Sequence, residues 1–224
     1  YGLFVLKESH DAAHRSPFHW GRAHPFGAFG ELRRQLGSAR LILGVLLIQV
    51  VLQTLPAIWP YYTMQRLGWT PQVVGYSLGV YGISNVIVQS QLTGRLARSI
   101  GSLRTAEIGF LLVAAGYCGY AFGSSTLFAF LCIPLTVTGY ITQPSLVSLM
   151  SSLIGPRTQG ALQGVVASAA SLAAMVTPLV MSHLFSLFAQ PGTARYFPGA
   201  PFLLAALLAV TGSVVVLRGA RARP

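Results

Sequence analysis

An all-α membrane fold is what this sequence predicts, a bundle of six helices that cross a bilayer. Three observations carry the prediction. Six long apolar runs fill the chain, at about 41–62, 71–93, 105–123, 126–150, 160–185 and 202–217. Hydrophobic residues make up 53% of the sequence and charged residues only 8%, where an ordinary soluble domain carries ~25% charged residues. Almost every arginine lies between the runs rather than inside them. A hydrocarbon core of ~30 Å needs roughly 20 helical residues at ~1.5 Å each, and the runs approach or exceed that length.

The net charge of +11 would fit a nucleic-acid partner, but the basic residues sit at the ends of apolar runs and form no soluble face. Membrane topology accounts for them. With the 7–40 segment inside and six crossings after it, only Arg66 and Arg195 of the fifteen Lys and Arg fall outside. That bias puts both ends of the chain in the cytoplasm.

The chain opens at Tyr1, with no initiator Met and no basic–apolar–small leader pattern. Residues 1–6 are apolar and read as the end of an earlier membrane helix; a frayed apolar terminus is the plainer alternative. Residues 7–38 then form a polar cytoplasmic connector between two halves. Pro17, Gly21, Pro25, Gly27 and Gly30 break up its first part, and 31–36 is expected to be a short amphipathic helix on the membrane surface. His10, His14, His19 and His24 share this connector, but no Cys joins them and carboxylates are few. Solvated loop histidines fit better than a metal site.

Residues 39–217 make the bundle, and its polar groups are amides and hydroxyls. The first span carries Gln49 and Gln53, spaced i,i+4 on one face, with Thr54 beside them. The second carries Ser84, Asn85, Gln89, Ser90 and Gln91. Near the start of the third lies Glu107, the only acidic residue close to a span. The fourth holds Thr136, Thr138, Thr142 and Gln143; the fifth holds Gln163, Ser168, Ser171 and Thr177. A side-chain amide in lipid needs a partner, so these groups face the bundle or a wet cavity. Each one singly fits an interhelical hydrogen bond that only holds helices together. As a set they favour a polar path, with Gln49, Gln53, Asn85, Gln89 and Gln143 as its candidate wall.

Gly75 and Gly79, like Gly160 and Gly164, have the spacing of close-packing helix faces. Pro56, Pro134, Pro144 and Pro178 are expected to kink or loosen their helices. Cys118 and Cys132 fall inside spans and read as small packing residues. Residues 218–224 are a basic cytoplasmic tail. No nucleophile–base pair, phosphate-cradling loop or metal-ligand cluster is present in the sequence, so neither an enzyme nor a cofactor is expected.

Several motifs give the chain a family likeness. In the second span Gly75-Tyr76-Ser77-Leu78, Val80, Gly82-Ile83, Gln89, Thr93-Gly94 and Gly101 stand together, and Gly94, Arg98, Gly101 and Arg104 form a glycine–basic loop pattern. Ile48-Gln49, Gln53, Pro56 and Trp59 mark the first span. The fifth opens with Gln159-Gly160-Ala161-Leu162-Gln163-Gly164, followed by Ser171-Leu172 and Pro178-Leu179. With these residues the chain resembles the C-terminal half of a twelve-helix major facilitator superfamily transporter, nearest to the tetracycline-resistance branch of drug–proton antiporters. The resemblance covers nearly the whole chain. It implies proton-driven efflux of a small amphipathic organic molecule by alternating access in a bacterial inner membrane. It also implies an N-terminal six-helix half as partner, and a gating role for Gly94, Arg98, Gly101 and Arg104.

Two departures qualify what is carried over. Asn85 stands where those exporters have a histidine, and Val113 where they have an aspartate. Both replacements remove a titratable group. The loop before Gln159 reads Gly155-Pro156-Arg157-Thr158 in place of an acidic stretch. Tetracycline is therefore not the expected substrate, and any coupling carboxylate lies in the other half unless Glu107 serves. An uncoupled facilitator or sugar/metabolite exporter, and a truncated membrane fragment that transports nothing, remain as alternatives.

Overall fold

The computed structural model describes residues 25–36, 39–192 and 196–221. The expected helix end at 1–6 and the four connector histidines lie outside them. The described residues are helical almost throughout and include no strand.

Helix α1, Pro25–Leu36, starts on a proline, which suits the first helical turn because its missing N–H is not needed there. It begins earlier than the expected 31–36 helix. Leu32 and Leu36, four apart, are buried while Arg33 and Arg34 face out, and the helix packs on α8. That tertiary contact carries the helix back through Gly30 and Gly27.

Helix α2, Arg40–Leu67, runs for 28 residues and stops at Gly68, whose φ of 66° is the left-handed conformation that favours glycine. The Gly68 N–H closes on the Thr63 carbonyl. Helix α3, Pro71–Ile87, again starts on proline. It passes into a π turn, Val88–Leu92, and then into α4, Thr93–Ile100. Gly101 (φ 85°) ends α4 and turns the chain into α5, Ser102–Phe122. The fourth span comprises α6, Thr126–Gly139, and α7, Thr142–Ser152, with a turn at Tyr140–Ile141 between them. A 3-10 turn, Pro156–Thr158, leads to α8, Gln159–Phe188, and α9, Ala200–Arg221, closes the bundle. Arg218 is therefore helical.

Among the described residues, five segments are long and apolar enough to cross a membrane: α2, α5, α6 with α7, α8 and α9. The sixth expected crossing, 71–93, is α3 with its π turn, helical throughout but with only 17 residues of α-helix before the π turn interrupts it. Its length, roughly 35 Å at ~1.5 Å per residue, suffices for the bilayer. Arg40 donates to the Arg218 carbonyl at 3.1 Å, so the start of α2 and the end of α9 lie on the same side.

The prolines behave unequally. Only the fourth span breaks, four residues before Pro144, where Pro144 has no N–H for the Tyr140 carbonyl. Pro56, Pro60, Pro134 and Pro178 sit inside helices that continue past them.

The core lies among α2, α5, α6 and α9. Trp59 meets Tyr120 at 4.9 Å between ring centroids, and Phe202 lies 4.8 Å from Tyr62. The Tyr62 hydroxyl donates to the Tyr120 carbonyl at 2.5 Å. Small residues let α5 and α6 touch backbone to backbone. A Cβ added at Gly139 would lie 2.5 Å from the Val113 nitrogen and 2.7 Å from the Gly109 carbonyl oxygen. By contrast, a Cβ at Gly75, Gly79, Gly160 or Gly164 would meet nothing within 4 Å. Within this chain those four glycines are not a packing face; α3 and the start of α8 turn them outward.

Candidate functional site

An open cleft of about 550 Å³ lies between the π turn, α7 and the start of α8. Gln89, Gln143 and Gln163 bring three carboxamides to its lining, and Ser148 and Ser151 bring two hydroxyls. Pro144, Val147 and Val166 supply apolar wall. No lining residue is charged.

Two of the three amides stand at a local departure from plain α-helix, and the third stands near the start of a helix. Gln89 belongs to the π turn, where the Thr93 N–H returns five residues to the Val88 carbonyl. Turns of this kind occur as single insertions and concentrate at functional sites. The Gln89 Oε1 accepts from the Thr93 hydroxyl at 3.4 Å. Gln143 follows the Tyr140–Ile141 break and immediately precedes Pro144. Gln163 lies in the second turn of α8, and the start of that helix is fixed to the end of α7 by a reciprocal pair. The Ser151 hydroxyl donates to Gln159 Oε1 at 2.9 Å, and Gln159 Nε2 donates to the Ser151 carbonyl at 3.0 Å. The Ser148 hydroxyl is paired with Ser102 at 3.2 Å. Among the described residues, none forms a hydrogen bond with the Gln143 or Gln163 side chain.

A second polar grouping lies deeper. The Tyr117 hydroxyl donates to the Val51 carbonyl at 2.7 Å and sits 3.4 Å from the Tyr140 hydroxyl. Tyr81 meets the Tyr140 ring at 6.1 Å, and Asn85 adjoins the Tyr81 hydroxyl. These phenols connect the half-buried flank of α3 to the middle of α2.

The structure therefore divides the five amides chosen from sequence. Gln89 and Gln143 line one cleft. Gln49 is buried in α2 at 5% exposure, Gln53 is half-buried on the same helix, and Asn85 is half-buried beside Tyr81. None of these three lines the cleft. Gln163, Ser148 and Ser151 join it instead. Sequence marked Gln163 as one polar group among many, but only the approach of α8 to α7 sets it apart.

The glycine–basic pattern is local. Arg98 Nε donates to the Gly94 carbonyl at 3.1 Å, and the Thr105 hydroxyl donates to the Gly101 carbonyl at 2.8 Å. Arg98 and Arg104 are exposed, and Val113 is fully buried. Glu107 is half-buried on α5, away from the cleft lining.

Comparison with known proteins agrees with this architecture. The sequence model of the Major Facilitator Superfamily matches residues 23–224. The chain is 28% identical over 222 residues to the tetracycline resistance protein, class C, of Escherichia coli, covering 99% of this chain and 54% of that protein. It is 30% identical over 186 residues to the class G tetracycline resistance protein of Vibrio anguillarum, covering 81% and 46%. It is also 26% identical over 178 residues to the Hippocampus abundant transcript 1 protein of Mus musculus, covering 77% and 35%. The chain spans about half the length of the tetracycline resistance proteins it matches.

Proposed function

The chain belongs to the Major Facilitator Superfamily, and on that premise we propose that it forms the C-terminal six-helix half of a membrane transporter. The intact protein exports a small amphipathic organic molecule by alternating access, in exchange for protons, across a bacterial inner membrane. Both ends of this chain face the cytoplasm in this reading. The observation that carries it is the open amide-lined cleft between the π turn, α7 and α8. It stands on the side of the bundle that the chain's own helices leave uncovered. Amides in a membrane span are kept where they meet water, a ligand or a second wall, and a second six-helix half supplies that wall. The two halves then rock about a site between them.

Gln49, Gln53, Asn85, Gln89 and Gln143 remain the proposed substrate path, with Gln89 and Gln143 at the cleft and the other three deeper in the bundle. Gly75, Gly79, Gly160 and Gly164 are the surface on which the other half packs. Gly94, Arg98, Gly101 and Arg104 form the cytoplasmic loop that gates the rocking.

One observation favours an uncoupled facilitator as the second reading. The described cleft holds no carboxylate, and Glu107 does not line it. Proton coupling therefore depends on the other half.

Transport into inside-out vesicles by the intact gene product tests the function. Efflux-direction uptake that collapses with the proton gradient supports the first reading, and gradient-independent uptake supports the second. Absence of transport by the intact protein rejects both. Orientation is tested separately in a background lacking Cys118 and Cys132. Arg66→Cys and Arg195→Cys should react with an impermeant thiol reagent in intact cells, and Arg98→Cys and Arg157→Cys should not. The opposite labelling rejects the topology.

A further inference from the structure

We propose that the cleft between the π turn, α7 and α8 receives the uncharged, hydrogen-bonding end of the substrate. That end carries hydroxyl or carboxamide groups; it is not an ammonium, a carboxylate or a metal chelate. The proposal rests on the transporter reading and narrows it to a substrate class.

The hydrogen-bond inventory of the cleft points there. Ser148 is already paired with Ser102, and Ser151 with Gln159, so the two serines mainly hold the wall. Among the described residues, the carboxamides of Gln143 and Gln163 and the amide nitrogen of Gln89 have no hydrogen-bond partner, while the Gln89 oxygen accepts from Thr93. Each carboxamide offers two donor hydrogens and an acceptor oxygen. A hydroxyl or an amide, which both gives and takes a hydrogen bond, answers both the donor and the acceptor side of such a group. An ammonium uses only the oxygens and leaves the N–H groups unpaired; a carboxylate does the reverse. A charged ligand also meets a wall that provides no counter-charge, so this half of the site does not repay its lost hydration. Pro144, Val147 and Val166 beside the amides offer apolar cover to the rest of an amphipathic molecule.

Three probes separate the classes in inside-out vesicles containing the intact gene product. Chloramphenicol is neutral, with two hydroxyls and an amide; ethidium is a cation; magnesium–tetracycline is a chelate. Wild-type protein should accumulate chloramphenicol well above the other two. Gln143→Glu and Gln163→Glu change shape little but add a negative charge. Each should lower chloramphenicol uptake roughly tenfold or more, because a site built for a polar neutral group then fails to pair it. Membrane levels by blot should stay unchanged, and ethidium uptake should rise. Uptake confined to ethidium or magnesium–tetracycline overturns the proposal and leaves the transporter reading standing. Chloramphenicol uptake indifferent to both Glu variants also overturns it. If no probe moves, this proposal fails, and the transporter reading is left to the vesicle test of the intact protein given above.

Discussion

Helices α3 and α5 belong to consecutive apolar runs of the sequence, and the fold treats them oppositely. Ten residues of α5 are buried, from Thr105 to Ala121, against only Val74 and Ser77 of α3. The same contrast separates α2 from α8. Over their most apolar stretches, 56% of α2 is buried and only 28% of α8. One side of the bundle is thus a finished core of aromatic rings and backbone contacts. The other side shows amides, small residues and large apolar groups such as Ile83, Val86, Met175 and Leu179. Since lipid tails cover apolar groups as well as protein does, the apolar part of that face is explained by the bilayer alone. The amides are not, and they are the reason the proposed substrate path is placed on this face.

The contrast should be most visible at glycines. Gly139→Val drives a branched side chain into the Val113 and Gly109 backbone. It should cost roughly 3 kcal/mol and lower the amount of folded protein, read as a fall in thermal midpoint in detergent. Gly79→Val and Gly164→Val meet open space and should leave that midpoint unchanged. If they also abolish transport by the intact protein, the outward glycines pack on a second half. Normal transport in both would remove that proposed interface.

Smaller effects sharpen the boundary between the two sides. Trp59 Nε1 donates to the Ser77 hydroxyl at 2.9 Å, a buried tie from the core to the sparsely packed α3. Ser77→Ala leaves that indole N–H unpaired and should cost about 1–3 kcal/mol. Because α3 has few other anchors, the loss should appear as proteolysis or hydrogen exchange localised to 71–100. Uniform destabilisation of the whole bundle would show that α3 belongs to the core after all. Tyr117→Phe removes the hydroxyl that donates to the Val51 carbonyl. It should cost about 1 kcal/mol, as expected for one buried hydrogen bond.

The smallest effect on stability is expected at the cleft. Gln163→Ala and Gln89→Ala should shift the thermal midpoint by less than about 0.5 kcal/mol in equivalent terms, since neither side chain is buried. Both should nevertheless weaken transport. Gln53→Ala should weaken it as well, at a somewhat larger stability cost, because that residue is half-buried in α2. A cleft variant that lost stability but kept full transport would turn the assignment around.

Much of this molecule was legible as sequence because the relevant physics is local. Span length is set by the thickness of the bilayer, so apolar runs located the crossings to within a few residues, as at α6 and α7. Gly68 and Gly101 end helices through their own backbone freedom, with no help from distant residues. What only the tertiary structure decided depends on how helices cross. Gly75 and Gly139 look alike in sequence, yet only Gly139 lies where two backbones meet. Pro144 and Pro134 carry the same missing N–H, yet the helix breaks only before Pro144. Gln89, Gln143 and Gln163 come from three helices, and no spacing along the chain records that they share one cleft. Which polar groups meet is fixed by rotations and crossings of whole helices, and those answer to the summed packing of α2, α5, α6 and α9 rather than to any residue at the site.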